Sequence, residues 1–255
     1  LAGHNKWSKV KHRKAVVDKR RAKAWSMCSR AIISVARQGG PDPEFNFALR
    51  AAIDEARYYN VPQENIERAI KKGAGGGTGD NFEPVRYEGY GPGGVAIVVD
   101  ALTDNRTRTA ADVRNIFAEN AGKFGASGSV AHLFKAVARI TIVSKSVQPL
   151  SSDAALEAAL NAGADDCVES AGEDDHSVQP GTWDVLCPPT ELAAVKASLA
   201  AVGTIKVERS GFDMLAITTT QVSPADAEPL AELIDALEDN DDVKHVYSNA
   251  VFPEA

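Results

Sequence analysis

ARITIV (138–143), DAALEAALNA (153–162), ADDCVE (164–169), TWDVLC (182–187), ELAAVKASLAAV (191–202) and IKVER (205–209) follow one another along a single stretch of the chain. The first, third, fourth and sixth are short runs bounded by Gly, Pro, Ser or Asp, and they read as strands. The second and fifth carry apolar residues three and four apart and read as helices. The order is β-α-β-β-α-β, the ferredoxin-like arrangement.

Working outward, each flank of this unit holds half of the same pattern. Before it come a strand at 95–100 (VAIVVD), a helix at 108–120 and a strand at 129–134. After it come a strand at 215–219, a helix at 224–237 and a strand at 243–247. Joined, the flanks make a second β-α-β-β-α-β. The reading is therefore two ferredoxin-like α/β domains, with 137–210 inserted into a discontinuous host of 80–136 plus 211–250. One continuous mixed sheet is the alternative; nesting is preferred because each half then completes a recognised motif.

Residues 1–78 read as a basic leader and a helical domain. Trp25, Cys28, Ile32 and Val35 make one apolar stripe, and Phe45, Leu49, Ile53 and Ala56 make another. A third helix after Pro62 carries Ile66, Ala69 and Ile70, with Lys71 and Lys72 in its last turn and Gly73 placed to cap it. GAGGGTG (73–79) reads as a linker; a phosphate-cradling loop would need a following Lys-Ser/Thr, which is missing. The expected fold class is thus α+β multidomain, an N-terminal three-helix domain plus two ferredoxin-like domains, one inserted in the other.

Charge is distributed unevenly along this plan. Residues 1–30 hold ten Lys and Arg against one acid, a formal +9, in a chain whose total is −7. Such an arm is attracted to polyphosphate, and the acidic remainder is repelled by it. Lys6, Lys9, Lys11, Arg13, Lys14, Lys19, Arg20, Arg21 and Lys23 are the candidate phosphate contacts, Trp7 a candidate stacking group, and His12 lies among them. A solvated helix face without a specific partner is the bland alternative. No helix-turn-helix, zinc-finger or RNA-recognition signature is readable, so base specificity does not follow.

Two further segments allow two readings each. YEGYGPGG (87–94) is either a recognition loop presenting Tyr87 and Tyr90 or a structural turn feeding the next strand. TDNRTRT (103–109) either aims Arg106 and Arg108 together at a phosphate or is a capped helix start with surface arginines. The acidic runs at 165–175 and at Asp239, Asp241 and Asp242 read as solvated, or as a holder for the basic leader.

Other classes lose ground. The five histidines are scattered, and no GxSxG, HExxH or Cys–His spacing occurs, so neither enzymatic activity, metal nor cofactor is expected. His132 reads as a packed imidazole on a strand. No apolar run approaches the roughly 20 residues of a bilayer span, and no membrane partner is expected. Three widely spaced cysteines, an odd number, fit a reduced cytoplasmic setting. The basic start lacks the apolar stretch of a secretory signal, and its Lys-rich, clustered charge disfavours a mitochondrial presequence.

Several stretches together resemble the YebC/PmpR family: AGHNKW (2–7), KHRK (11–14), NIERAIKKG (65–73), YEGYGPGGVAI (87–97), TDNRTRT (103–109) and SGSVA (127–131). The resemblance is dense in the first half and mainly one of layout over the last hundred residues. It implies a helical N-terminal domain followed by two α/β domains, one inserted in the other, in a cytoplasmic, non-enzymatic protein. Bacterial members are described as probable transcriptional regulators binding promoter DNA. The family includes a mitochondrial translational activator branch, and other members act on the ribosome, relieving stalling at proline-rich stretches. The resemblance therefore implies a nucleic-acid partner, promoter DNA or ribosomal RNA, with the ribosome itself as a candidate. This chain departs from the family pattern at Asn5, at Trp25-Ser26-Met27-Cys28, and at Asn46-Phe47-Ala48, where the usual Pro-Arg is missing and one cation is lost.

Overall fold

The computed structural model describes residues 14–75, 81–170 and 180–253, with side chains from Arg21 onward. Three helices open it: α1 (Lys14–Gly39), α2 (Phe47–Tyr58) and α3 (Gln63–Ala74). Their shared core is Cys28, Ile32, Ile33 and Ala36 from α1, Leu49, Ala52, Ile53 and Ala56 from α2, and Ile66 and Ala69 from α3. These positions recur three and four apart, as a helix face must. Trp25 and Val35 lie at the edge of this core, partly buried.

In the helical domain two positions differ from the sequence reading. Phe45 does not join the α2 face. Asn46 caps α2 by accepting a hydrogen bond from the Leu49 amide, so the helix starts after Phe45 and leaves it in solvent. Gly73 does not cap α3, which runs on to Ala74 with Gly75 as its C-cap. Gly73 is instead a close-approach residue: a methyl there would lie 2.6 Å from the Ile33 carbonyl oxygen and 2.8 Å from the Ala36 Cβ.

Next come β1 (Glu83–Tyr90), β2 (Ala96–Thr103), α4 (Arg106–Glu119) and β3 (Lys123–Phe124). An inserted segment follows: β4 (Phe134–Ser144), α5 (Ser152–Asn161), β5 (Asp166–Glu169), β6 (Trp183–Cys187), α6 (Leu192–Ala201) and β7 (Ile205–Ala216). The chain then returns through β8 (Thr220–Gln221), α7 (Pro224–Asp239), β9 (Val243–Ser248) and β10 (Ala250–Val251). The chain divides into two compact units, Leu1–Lys135 with Leu215–Ala255, and Ala136–Met214. The organisation is mixed α+β, with N-terminal helices followed by β-rich domains.

In the first unit the strand order is β3-β1-β2-β9, and each neighbouring pair is antiparallel. Ile97, Val99, Val113, Phe117, Leu230, Leu233, Ile234 and Leu237 fill the core between this sheet and α4 and α7. Arg86 and Asp100, opposite one another across β1 and β2, form a bidentate pair at 2.6 and 2.8 Å. The host is thus not β-α-β-β-α-β in chain order. The strand expected at 129–134 is a 3₁₀ turn, Ala131–Leu133, leading into β4, and 215–219 is the tail of β7 with a bend. The place of a third strand is taken by β1, hairpinned onto β2. Its periodicity was hidden because one inward position is Gly89, where a methyl would meet the Phe117 ring at 2.6 Å. His132 lies in that 3₁₀ turn and is exposed, not packed on a strand.

The inserted unit has strand order β5-β6-β4-β7 and follows the β-α-β-β-α-β order. Ala138, Ile140, Ile142, Val185, Cys187, Leu199 and Ile205 make its core under α5 and α6. On the opposite sheet face, Arg139 donates to Asp184 at 2.8 Å and to Asp213 at 2.6 Å, and Thr141 also donates to Asp184, at 2.7 Å. Asp184, though buried, is therefore hydrogen-bonded from two sides.

Candidate nucleic-acid interface

The basic stretch runs into α1, and α1 docks on the sheet that follows it. Lys6, Trp7, Lys9, Lys11, His12 and Arg13 lie outside the described residues, as do the linker positions 76–80 and the acidic run at 171–179. Lys14, Lys19 and Arg20 lie in α1 before its described side chains begin. Arg21 is exposed, its guanidinium 5.0 Å from the centre of the Trp25 ring. Lys23 turns inward and donates to the carbonyl of Glu238 at the end of α7. Two turns further along α1, Arg30 donates to the Asp241 carbonyl at 3.1 Å and to the Asp242 carboxylate at 2.7 Å. Ser34 donates to the Phe82 carbonyl at 2.9 Å, and Lys244 on β9 pairs with Glu55 on α2 at 3.0 Å. Cations of α1 thus serve two purposes: Arg21 faces solvent, while Lys23 and Arg30 hold the helix down.

Asp242 is the centre of this docking. It is 6% exposed. Besides Arg30, it accepts from Arg108 at 2.7 Å, Thr109 at 2.8 Å and Thr103 at 3.3 Å. Burial by itself would raise the carboxyl pKa. The bonds from Arg108, Thr109 and Arg30 outweigh that and hold it below the ordinary carboxylate value. Of the two readings of Asp239, Asp241 and Asp242, the solvated one fails at Asp242, which instead holds Arg30, a cation of the basic segment. A carboxylate directly after a helix, in a run of acids, gives no sequence signal that one of its members is buried.

TDNRTRT is a capped helix start. Asn105 accepts from the Arg108 amide at 3.1 Å, and Thr103 accepts from the Asn105 amide at 2.9 Å. The two arginines diverge. Arg108 is held between Asp242 and Asp104, while Arg106 faces solvent, 3.8 Å from Glu83. Of the pair, Arg106 is the one directed outward.

Tyr87 and Tyr90 belong to β1 rather than to a loop. Tyr87 is buried against the core, donates to the Arg106 carbonyl at 3.3 Å, and has its pKa raised by that burial. Tyr90 donates to the Ser129 carbonyl at 3.0 Å. The turn proper is 91–94, where Gly93 and Gly94 take φ of 70° and 73°. Between the tyrosines, Glu88 is buried and accepts from the amides of Gly128, Val130 and Ala131 at 2.7, 2.7 and 2.8 Å. This clasp pins the SGSVA segment to β1. Burial raises the Glu88 pKa, but those three amides prevail and lower it. No periodicity marks Glu88; only the chance pairing of a strand glutamate with a glycine-containing loop hints at it.

Cys28, Cys167 and Cys187 are buried and none is in a disulfide, and burial pushes the Cys167 thiol up to about 11. Among the described residues no three His, Cys, Asp or Glu side chains converge as metal ligands would, and no helix is long and apolar enough to cross a membrane.

Comparison with known proteins places these features. Residues 5–76 match the TACO1/YebC protein N-terminal domain, and residues 82–250 match the TACO1/YebC second and third domain. A probable transcriptional regulatory protein of Bordetella petrii is 45% identical over 255 residues, covering 100% of both chains. Another, from Pelotomaculum thermopropionicum, is 43% identical over 249 residues and 98% of each chain. The crystal structure of a conserved hypothetical protein from Aquifex aeolicus superimposes with a TM-score of 0.82, at 43% identity over 98% of each chain. Matched along nearly its whole length in sequence and in fold, the chain belongs to the TACO1/YebC family.

Proposed function

We propose that this protein is a nucleic-acid-binding regulator of gene expression, acting by binding rather than catalysis, in the cytoplasm. The observation that carries the reading is the charge split: +9 over the first thirty residues of a chain that totals −7. Lys and Arg at 6–23 neutralise phosphates, and Trp7 stacks on or wedges between bases. Lys23 stands apart in this set, because its ammonium is engaged with the Glu238 carbonyl. Relatives named as probable transcriptional regulatory proteins support promoter DNA as the ligand.

Ribosomal RNA is the second reading. It is favoured by the mixed Lys, Arg, Trp and His composition of the leader and by the lack of a recognisable groove-reading motif. One experiment separates the two. The full chain and a variant with Lys6, Lys9, Lys11, Arg13 and Lys14 changed to Gln are tested on promoter fragments with competitor DNA and for co-sedimentation with ribosomes. Promoter binding that survives competitor and is lost in the variant supports the DNA reading. Retention on ribosomes at moderate salt, lost in the variant, supports the RNA reading. A variant that binds both ligands like the parent would refute the role given to the leader.

A further inference from the structure

The turn between α1 and α2 leaves two phenyl rings in solvent. Phe45 is 81% exposed and Phe47 76%. Among the described side chains of the three helices, no other large apolar group is exposed to that degree. The turn that carries them is tightly built. Asn46, buried between them, donates to the carbonyls of Val35 and Gly40, both at 2.9 Å, while its oxygen caps α2. The Asp42 carbonyl accepts from the amides of Phe45 and Asn46 at 3.2 and 2.9 Å. Gly40 takes φ +88°, and a methyl on Gly39 would fall 2.6 Å from the Asn46 amide. Arg50 reaches back to donate to the Pro43 carbonyl at 2.9 and 3.1 Å, and its guanidinium lies 5.2 Å over the Phe47 ring. The rings stand on a preorganised support, so little ordering remains to be done on binding.

What covers them follows from size and surroundings. Two phenyl side chains offer on the order of 300 Å². A stable protein interface takes about 800 Å² from each partner, and among the described side chains of the three helices no other large apolar group is exposed to add to the patch. Two separate π faces of ring size match two unpaired bases better. Phe47, Arg50 and Arg57 lie at i, i+3 and i+10 on α2, so ring and cations run along one exposed stripe, with Asp54 between them paired to Arg57 at 3.7 Å. Asp42 and Glu44 share the turn, so attraction here comes from ring faces and guanidinium more than from net charge.

We propose that Phe45 and Phe47, with Arg50 stacked on Phe47, form a stacking platform for unpaired bases of a single-stranded nucleic acid. This rests on the nucleic-acid reading above and adds to it that the bound strand is unpaired at this turn. The leader supplies sequence-independent backbone affinity, and the platform supplies preference for single strands.

The test uses the full chain and fluorescence anisotropy with a 20-nucleotide single-stranded RNA and with the duplex of the same sequence, over a salt series. Phe45→Ala/Phe47→Ala is compared with Phe45→Trp/Phe47→Trp and with the leader variant; both phenyls are in solvent, and matched thermal midpoints check the fold. The alanine pair is expected to weaken single-strand binding roughly tenfold or more. Its salt slope and duplex affinity should stay unchanged, and the tryptophan pair should bind at least as well as the parent. The leader variant should lose affinity for both ligands and show a flatter slope. Single-strand affinity within twofold of the parent in the alanine pair overturns the platform while leaving the leader's role intact. Equal losses on single strand and duplex, or a change in self-association instead of RNA affinity, overturn it as well. A parent chain that binds neither ligand overturns both readings.

Discussion

Replacing Asp242 with asparagine keeps the side chain's size but removes the charge that Arg30 and Arg108 share. A buried group that accepts four hydrogen bonds is costly to disturb, although the partial exposure of both arginines lets water replace some of the loss. The expected destabilisation of Asp242→Asn is about 1–3 kcal/mol, read as a lower urea midpoint with unchanged slope. The pH dependence has a definite sign. The folded pKa lies below that of the unfolded chain, about 3.9. The charge therefore contributes fully above that value, and its contribution disappears as pH falls through the folded pKa. The gap between parent and variant should be constant from about pH 5 to 8 and close in stronger acid. A gap that persists undiminished in acid would show that shape, not charge, accounts for the loss.

Among the elements, α3 shows most directly how packing overrides local preference. Gly73→Ala gains about 1 kcal/mol of helix propensity. Against it stands a methyl 2.6 Å from the Ile33 carbonyl oxygen, a backbone atom that cannot swing aside. Overpacking of this kind costs about 1–3 kcal/mol, so the variant should be less stable than the parent in thermal unfolding; a rise in the midpoint would contradict the close approach of α1 and α3. The same contrast explains what could be read from the sequence. The helices at 14–75 and the inserted β-α-β-β-α-β were legible because their apolar residues recur at 3.6 and 2. β1 was not, because Gly89 yields its inward place to the Phe117 ring. Arg106 and Arg108 looked equivalent by spacing, and only the fold puts Asp242, more than a hundred residues away in sequence, beside one of them. Phe45 falls on the helical spacing of Leu49, Ile53 and Ala56, but Asn46 caps the helix after it, so the spacing does not make it core.

Over the whole molecule, positive charge at one end of the chain meets an acidic body, and the structure divides those cations by task. Lys23 and Arg30 face the Glu238–Asp242 segment and belong to stability. The cations of 6–14 belong, on the proposed reading, to phosphate. The two groups should therefore respond differently to the same kind of change. Arg30→Gln should lower the thermal midpoint and leave the salt dependence of nucleic-acid binding nearly untouched at temperatures where the chain is folded. Changing Lys9, Lys11, Arg13 and Lys14 to Gln should leave the midpoint nearly unchanged. It should also reduce the magnitude of the slope of log K against log salt by about 3–4 on a duplex, since each phosphate neutralised contributes about 0.9. If Arg30→Gln instead flattens the slope as much per charge as the leader changes do, α1 is not anchored through that arginine while bound. The acidic segment would then be exchanged for phosphate on binding, and the helix would have to leave its place on the sheet.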